Sequence, residues 1–180
     1  NNINQKLSKY NAILGKGNSI SSIPYIKNGY VIKPTFENKF IIDSKKNILT
    51  TNGNATVLDI HNYLIKRKYY CHYFPSYPLV TVAACIANGT HGVMPKKGIF
   101  TDFVIEIKIF NPNFGVKTLS KLKNKDLFEL TKCGLGLTGI ILEAKIKIFK
   151  LKSTLISINN YNFNNLFDCY KFMEKSKKIY

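Results

Sequence analysis

The glycine-rich stretch GKGNS at residues 15–19 has the residue types that could bind a phosphate group. It follows a short apolar strand predicted at residues 11–14. Glycine has no Cβ, so backbone N–H groups can converge on one small space and approach an anion such as a pyrophosphate closely. Ile20 occupies the place of the third glycine of a G-x-G-x-x-G motif and no G-K-S/T follows, so neither a Rossmann motif nor a P-loop is present. A plain tight turn explains the stretch equally well.

A second stretch, PSYPLVTVAACIANGTHG at residues 75–92, combines small apolar residues with polar ones. The side chains of Ala83, Ala84 and Ala87 are small enough for a flat aromatic ligand to lie against the backbone of a helix. The NGTHG segment that follows offers hydrogen-bond donors to the polar edge of such a ring. His91 is the candidate for a direct chemical or electrostatic role, although a lone histidine is more often structural.

A third stretch, GLGLTG at residues 134–139, leads directly into a long strand. Glycines at such a place indicate a close approach between the backbone and a ligand. The alternative is a glycine-rich turn or a bulge in the strand.

The elements that would position these stretches follow from the spacing of apolar residues. Apolar residues near helical spacing predict a helix from Thr56 to about Lys68, and strict alternation predicts strands at residues 104–110 and 141–148. In the first of these strands Ile105, Ile107 and Ile109 are predicted to share one face. The remaining predicted strands are residues 30–32, 40–42, 47–51, 69–74, 116–119 and 154–158. The remaining predicted helices are the end of one at residues 1–8, a small one at 81–87, a short one capped by Asn124, and an amphipathic one at 164–178.

Composition excludes some classes of protein. With 45% hydrophobic and 21% charged residues in 180, the chain can form a sizeable core, and no apolar run reaches the length of a membrane span. The net charge of +17 invites a nucleic-acid or anionic-membrane interpretation, but only Arg67 is an arginine and the lysines are dispersed. Nucleic acid is therefore disfavoured as a partner, while a membrane surface stays open. The four widely separated cysteines are expected to be reduced and mostly buried in a cytoplasmic protein, one that could also be peripheral to a membrane.

The order of these motifs resembles the FAD-binding domain of the vanillyl-alcohol-oxidase superfamily, also called the p-cresol-methylhydroxylase (PCMH) type. The closest likeness is to its sugar oxidases, which act on aldonolactones, alditols and decaprenylphosphoryl-ribose. The resemblance implies an α+β fold with a two-lobed FAD-binding domain at residues 1–150. The first lobe, at about residues 1–55, should contain parallel-type strands, and the second should cover about 56–150. Residues 151–180 would begin a substrate domain.

The resemblance also implies which residues contact FAD. The pyrophosphate would be held by Gly15, Lys16, Gly17, Asn18, Ser19 and Ile20. The isoalloxazine and ribityl chain would be lined by Pro75, Ser76, Val80, Thr81, Val82, Ala83, Ala84, Ala87, Asn88, Gly89, Thr90, His91 and Gly92. Further contacts would come from Asp102, Gly136, Gly139, Ile140 and Ile141. No metal ligand set is implied.

One departure from the family pattern concerns the flavin linkage. Many relatives carry a histidine in the glycine loop that bonds covalently to the flavin, and here that position is Asn18. We therefore expect non-covalent FAD.

The resemblance also implies a reaction. It is oxidation of an alcohol carbon of a sugar or polyol, one that could be lipid-linked, by hydride transfer to flavin N5. The catalytic base would come from the second domain, and the electron acceptor is undetermined.

Three other functions stay open from the sequence. A flavin dehydrogenase of 2-hydroxy acids would use the same cofactor fold. A basic module for nucleic acid or an anionic surface would bind no flavin, and a non-catalytic relic of the fold would bind no flavin or hold a flavin that no alcohol reduces.

Overall fold

The computed structural model describes residues 11–19, 27–93, 98–155 and 157–176 of the chain. Within these residues the strands are β1 (Asn11–Ile13), β2 (Tyr30–Ile32), β3 (Phe40–Asp43), β4 (Ile48–Asn52), β5 (Tyr69–Tyr70), β6 (Val104–Asn111), β7 (Gly115–Ser120), β8 (Ile140–Lys147) and β9 (Phe149–Lys150). The helices are α1 (Val57–Ile65), α2 (Val82–Asn88), α3 (Lys125–Thr131) and α4 (Leu166–Lys175), with a 3₁₀ helix at Phe100–Phe103. The helix predicted at residues 1–8 lies outside the described residues, as does Ile20.

The main sheet has five antiparallel strands in the order β3-β4-β8-β6-β7. Strands β1 and β2 form a separate parallel pair, and β5 pairs with β9. Parallel strands at the start of the chain are thus confirmed for β1 and β2 only. Because β4 pairs with β8, the main sheet spans the lobe boundary predicted near residue 55. The domain and lobe boundaries stay predictions.

Two bulges explain where the predicted alternation of apolar residues fails. The pairing of β6 with β8 shifts register between Val104 and Glu106, and again between Lys108 and Ile109. An extra residue in one strand reverses the face to which the following side chains point. Ile105 is therefore exposed, contrary to prediction, whereas Ile107 and Ile109 are fully buried.

The helices begin at the residues that can cap them. The Thr56 hydroxyl accepts a hydrogen bond from the backbone N–H of Asp59 (3.1 Å), and the Asp59 carboxylate accepts one from the Thr56 N–H (3.0 Å). This reciprocal pair satisfies two backbone donors at the start of α1. Thr81 caps α2 in the same sense, accepting from the N–H of Ala84 (3.2 Å). Asn124 precedes α3, but its side-chain amide donates to the Thr118 carbonyl and does not cap the helix.

Two strand predictions need correction. The predicted strand at residues 69–74 is limited to β5, because Tyr73 turns into a buried aromatic cluster, where its ring stacks on Phe103 at 4.2 Å between centroids. The described residues of the segment 154–158 form no strand, and Leu155 and Ile158 are exposed. Helix α4 is present as predicted, yet none of its residues is buried among the described ones.

The cysteine thiols are free, but the expectation that most are buried is wrong. Cys85 is buried, Cys71 and Cys169 are partly buried, and Cys133 is exposed. Among the described residues no helix is long and apolar enough to cross a membrane.

We predict that alkylation at pH 8 separates Cys133 from Cys85. Thiols react as thiolates, and burial raises the pKa of Cys85 to about 12, although a hydrogen bond with Thr90 partly opposes that rise. At pH 8, well below this pKa, Cys85 stays protonated and shielded from reagent in the folded protein. Peptide mapping after iodoacetamide treatment should show modified Cys133 and unmodified Cys85, with both modified in denaturant. Equal rates in the folded protein would contradict the packing of α2.

Candidate functional site

A cleft of about 870 Å³ brings together the three stretches singled out from the sequence. Its walls are the loop after β1, the segment after β2, helix α2, and the segment that leads into β8. Ligand sites for small molecules and cofactors commonly enclose about 300–1,000 Å³. The cleft is therefore large enough for an extended cofactor.

The parallel pairing of β1 and β2 positions one wall. The N–H of Leu14 donates to the carbonyl of Ile32 (2.8 Å), so both strands end at the same edge. The GKGNS loop and the Lys33-Pro34-Thr35 segment therefore leave that edge side by side, and both line the cleft. In open α/β sheets, ligands bind at the carboxyl ends of parallel strands for this reason.

The glycine loop lies against the start of α2. A Cβ on Gly15 would stand 3.0 Å from the Thr81 hydroxyl, so the loop and the start of the helix leave little space for a side chain there. Gly17 adopts a φ of 85°, and a Cβ there would meet no atom within 4 Å, so the turn opens to free space. The side-chain amide of Asn18 donates to the Leu79 carbonyl (3.2 Å) and fixes the end of the loop.

Helix α2 separates the core from the cleft. Val82, Cys85 and Ile86 are buried in the core. The alanines of the opposite side, which we call the alanine face, line the cleft; they are Ala83, Ala84 and Ala87. Because these side chains are methyl groups, a flat ring can approach the helix backbone closely and bury apolar surface.

Gly53 closes the inner end of the cleft. Its N–H donates to the Leu142 carbonyl (2.9 Å) and its carbonyl accepts from the Ala83 N–H (2.8 Å), so it joins β8 to α2. A Cβ at this position would collide with the Ile141 carbonyl oxygen. Gly139, at a φ of 137°, likewise lies against the Phe110 carbonyl. Residues 139–141 thus pack closely against neighbouring backbone, and they line the cleft.

The charge of the cleft suits an anion. The charged residues that line it within the described part of the chain are Lys16 and Lys33. No carboxylate is among these lining residues. The same described residues contain no group of three or more metal-ligating side chains.

Most of the predicted cofactor-binding residues lie in this cleft. Those that line it are Gly15, Lys16, Gly17, Asn18, Ser19, Val80, Thr81, Ala83, Ala84, Ala87, Asn88, Thr90, Gly136, Gly139, Ile140 and Ile141. The predicted residues placed elsewhere are Pro75, Ser76, Val82, Gly89, His91, Gly92 and Asp102.

His91 and Asp102, two predicted site residues that do not line the cleft, contact nearby backbone atoms. His91 is exposed, and its Nδ1 lies 3.0 Å from the Gly92 carbonyl oxygen. The Asp102 carboxylate accepts a hydrogen bond from the Ile99 N–H (2.9 Å) at the start of the 3₁₀ helix. A part in catalysis or cofactor binding stays a prediction for both.

The sequence reasoning missed several residues that line the cleft. They are Ala12, Ile13, Leu14, Lys33, Pro34, Thr35, Gly53, Asn54 and Leu79. Leu135 and Leu137, which belong to the predicted GLGLTG stretch, line the cleft as well. The Asn-Gly-Asn turn that follows β4 was the available signal for Gly53 and Asn54. Such a sequence is typical of a turn and does not reveal the contact with β8, which depends on strands that are distant in sequence.

The chain belongs to the family described as the FAD binding domain, whose model matches residues 6–120. The residues of the cleft fit this cofactor: Lys16 and Lys33 carry the charge that would balance a diphosphate, and the alanine face can take a flat ring. The predicted family and the FAD cofactor are confirmed.

Curated relatives are enzymes of sugar lactones. The chain is 28% identical over 134 residues to L-galactono-1,4-lactone dehydrogenase 2, mitochondrial, of Oryza sativa subsp. japonica, covering 74% of this chain and 23% of the relative. It is 26% identical over 136 residues to the L-gulonolactone oxidase of Mus musculus, covering 75% and 31%. The chain thus spans about a quarter to a third of the length of these relatives.

A solved structure supports the fold. The 6-hydroxy-D-nicotine oxidase from Arthrobacter nicotinovorans matches with a TM-score of 0.70 and 17% identity, over 78% of this chain and 31% of that one. This likeness confirms the predicted α+β fold, and the family match identifies that fold as an FAD-binding domain.

We predict that Ala84→Phe weakens FAD binding at least tenfold, because the phenyl ring would occupy space on the alanine face. The control is Val116→Phe, which adds a ring at an exposed position of β7, away from the cleft. Dissociation constants from quenching of FAD fluorescence measure the effect. Equal affinity of the two variants would show that the ligand does not lie on α2.

Proposed function

We propose that this chain provides the FAD-binding part of an oxidoreductase that oxidises an alcohol carbon of a sugar or sugar lactone. The observation that carries the proposal is the cleft between the glycine loop and the alanine face, in a chain of the FAD-binding family. The relatives named above are dehydrogenases and oxidases of aldonolactones, which supports this substrate class.

When bound, FAD supplies the acceptor for a hydride from the alcohol carbon. The residues of this chain hold it. Lys16 and Lys33 balance the charge of the diphosphate, and the loop around Gly17 offers backbone N–H groups to its oxygens. The alanine face excludes water from one side of a flat ring. A fixed ring orientation is what allows the alcohol carbon to be positioned for reaction.

The described residues provide no group that we assign as the base. The substrate domain that we expect to begin at residue 151 is the proposed source of that base and of most substrate contacts. Helix α4, which lies in that region, supports this view because its apolar side chains Leu166, Phe167 and Tyr170 are exposed and available for packing.

Substrate oxidation can be tested in the protein that contains this chain. Under anaerobic conditions, the flavin absorbance near 450 nm should fall after an aldonolactone or alditol is added, because the substrate reduces the flavin and no oxygen reoxidises it. The control is an analogue of the same compound that lacks the hydroxyl group on the carbon to be oxidised. Bleaching by 2-hydroxy acids alone would contradict the proposed substrate class and favour the dehydrogenase alternative.

We also predict that the flavin is released by acid. Asn18 has an amide that already donates to the Leu79 carbonyl, and an amide nitrogen is not a nucleophile for the flavin methyl group. After acid precipitation, the yellow colour should appear in the supernatant. A yellow pellet would overturn the non-covalent assignment. The Asn18→His variant tests whether this position alone limits covalent attachment.

A further inference from the structure

Thr138 lies between two residues of the cleft wall but does not itself line the cleft. Its neighbours in the chain, Leu137 and Gly139, are both lining residues. A residue at such a place can determine where its neighbours lie through contacts that it makes away from the cleft. The hydrogen bonds of Thr138 therefore bear on the geometry of the cleft wall.

The Thr138 carbonyl is held by the last residue of β6. The side-chain amide of Asn111 donates to this carbonyl (3.0 Å), and Oδ1 of the same side chain accepts from the Asn113 N–H (2.9 Å). Because both ends of its amide are bonded, the Asn111 side chain has a fixed orientation. The turn after β6 is thus joined to the segment that leads into β8.

The Thr138 hydroxyl is held by the last residue of α3. Its oxygen lies 3.0 Å from the hydroxyl oxygen of Thr131, which in turn lies 2.6 Å from the Leu127 carbonyl oxygen. A hydroxyl has one proton and a carbonyl can only accept, so Thr131 donates to Leu127 and accepts from Thr138. Thr131 is buried, which shields these bonds from competing water.

The segment held in this way has a backbone that would relax without restraint. Cys133 and Leu135, neither of which is a glycine, have φ angles of 58° and 51°. A side chain destabilises this left-handed conformation, so it persists only where surrounding contacts enforce it. On the side of α2 the restraint is the N–H of Leu135, which donates to the Ala87 carbonyl (2.9 Å). The bonds of Thr138 supply the restraint on the side of β8.

We propose that Thr138 is a positioning residue for the cofactor: its bonds to Asn111 and Thr131 hold residues 135–139 where bound FAD contacts them. The inference rests on FAD binding in the cleft, and Thr138 itself touches neither cofactor nor substrate. Without these bonds the free segment would adopt further conformations. Only a fraction of the molecules would then be competent to bind, which lowers the affinity for FAD.

The test uses Thr138→Val, which keeps the shape of the side chain and removes its hydroxyl. Dissociation constants for FAD are measured by fluorescence titration in the protein that contains this chain, and thermal unfolding of the FAD-free form is measured in parallel. We expect Thr138→Val to weaken FAD binding about fivefold, the effect of one net hydrogen bond. Thr138→Ser, which retains the hydroxyl, should bind FAD as the unsubstituted protein does.

The partner of the hydroxyl is identified by combining Thr138→Val with Thr131→Val. Each single variant removes the contact between the two side chains. The double variant should therefore bind FAD about fivefold, and not about 25-fold, more weakly than the unsubstituted protein, because one contact can be lost only once. Independent losses that multiply would overturn the proposed pairing.

The bond to the Thr138 carbonyl is tested by a matched pair of asparagine variants. Asn111→Ala removes it and should weaken FAD binding. Asn124→Ala removes the same kind of bond, from a side-chain amide to the Thr118 carbonyl (2.8 Å), at an exposed site that does not line the cleft. Asn124→Ala should leave the dissociation constant for FAD unchanged, even where the unfolding temperature falls. Equal weakening by the two variants would contradict the inference.

Two further results would decide against the inference or against its premise. A lower unfolding temperature of Thr138→Val with an unchanged dissociation constant would show that its bonds serve stability alone, and would overturn the inference. Failure of the unsubstituted protein to bind FAD would instead overturn the proposed function.

Hydrogen exchange of the unsubstituted protein keeps the test valid if Thr138→Val does not fold. FAD should slow the exchange of backbone amides at residues 135–139. Unchanged exchange there, in protein saturated with FAD, would refute the inference.

Discussion

The cleft beside the glycine loop depends on the contact between the backbones of Gly53 and Ile141. Gly53 bonds to β8 through its N–H and to α2 through its carbonyl, and any side chain there would collide with the Ile141 carbonyl. Gly53 thereby sets the distance between the end of β4, the start of β8 and the helix that carries the alanine face. The requirement is for space and not for an unusual backbone angle, since Gly53 is not among the glycines with positive φ. Because Asn54 follows Gly53 directly, this contact also places Asn54 at the edge of the cleft.

Local patterns in the sequence were sufficient to predict most of the regular elements. The apolar spacing after Thr56 located α1, and the run of small apolar residues at 81–87 located α2, because these signals act within a few residues. The errors arose where contacts between distant parts of the chain determine the local structure. Ile105 is exposed because of a bulge against β8, and the segment after Tyr70 packs as an aromatic cluster and not as a strand. The sequence of the last segment, rich in β-branched residues, predicted a strand at 154–158 that has no sheet partner among the described residues.

The site was predicted only in part, because some of its residues come together through the pairing of strands that are distant in sequence. Glycine and alanine runs are visible as motifs, and residues 15–19, Ala83, Ala84 and Ala87 do line the cleft. Lys33 and Asn54 carry no motif. Lys33 reaches the cleft because β2 pairs in parallel with β1, and Asn54 reaches it because β4 pairs with β8. Conversely, His91 and Asp102 belong to a recognisable motif, yet their contacts in the structure are with neighbouring backbone.

A crystal structure of the protein with bound FAD tests the central claim most directly. It should show the diphosphate at the GKGNS loop near Lys16 and Lys33, and a ring of the cofactor against Ala83, Ala84 and Ala87. It should also show continuous cofactor density along the backbone of residues 139–141. FAD bound on another surface, with the cleft between the glycine loop and α2 filled by solvent, would contradict the account.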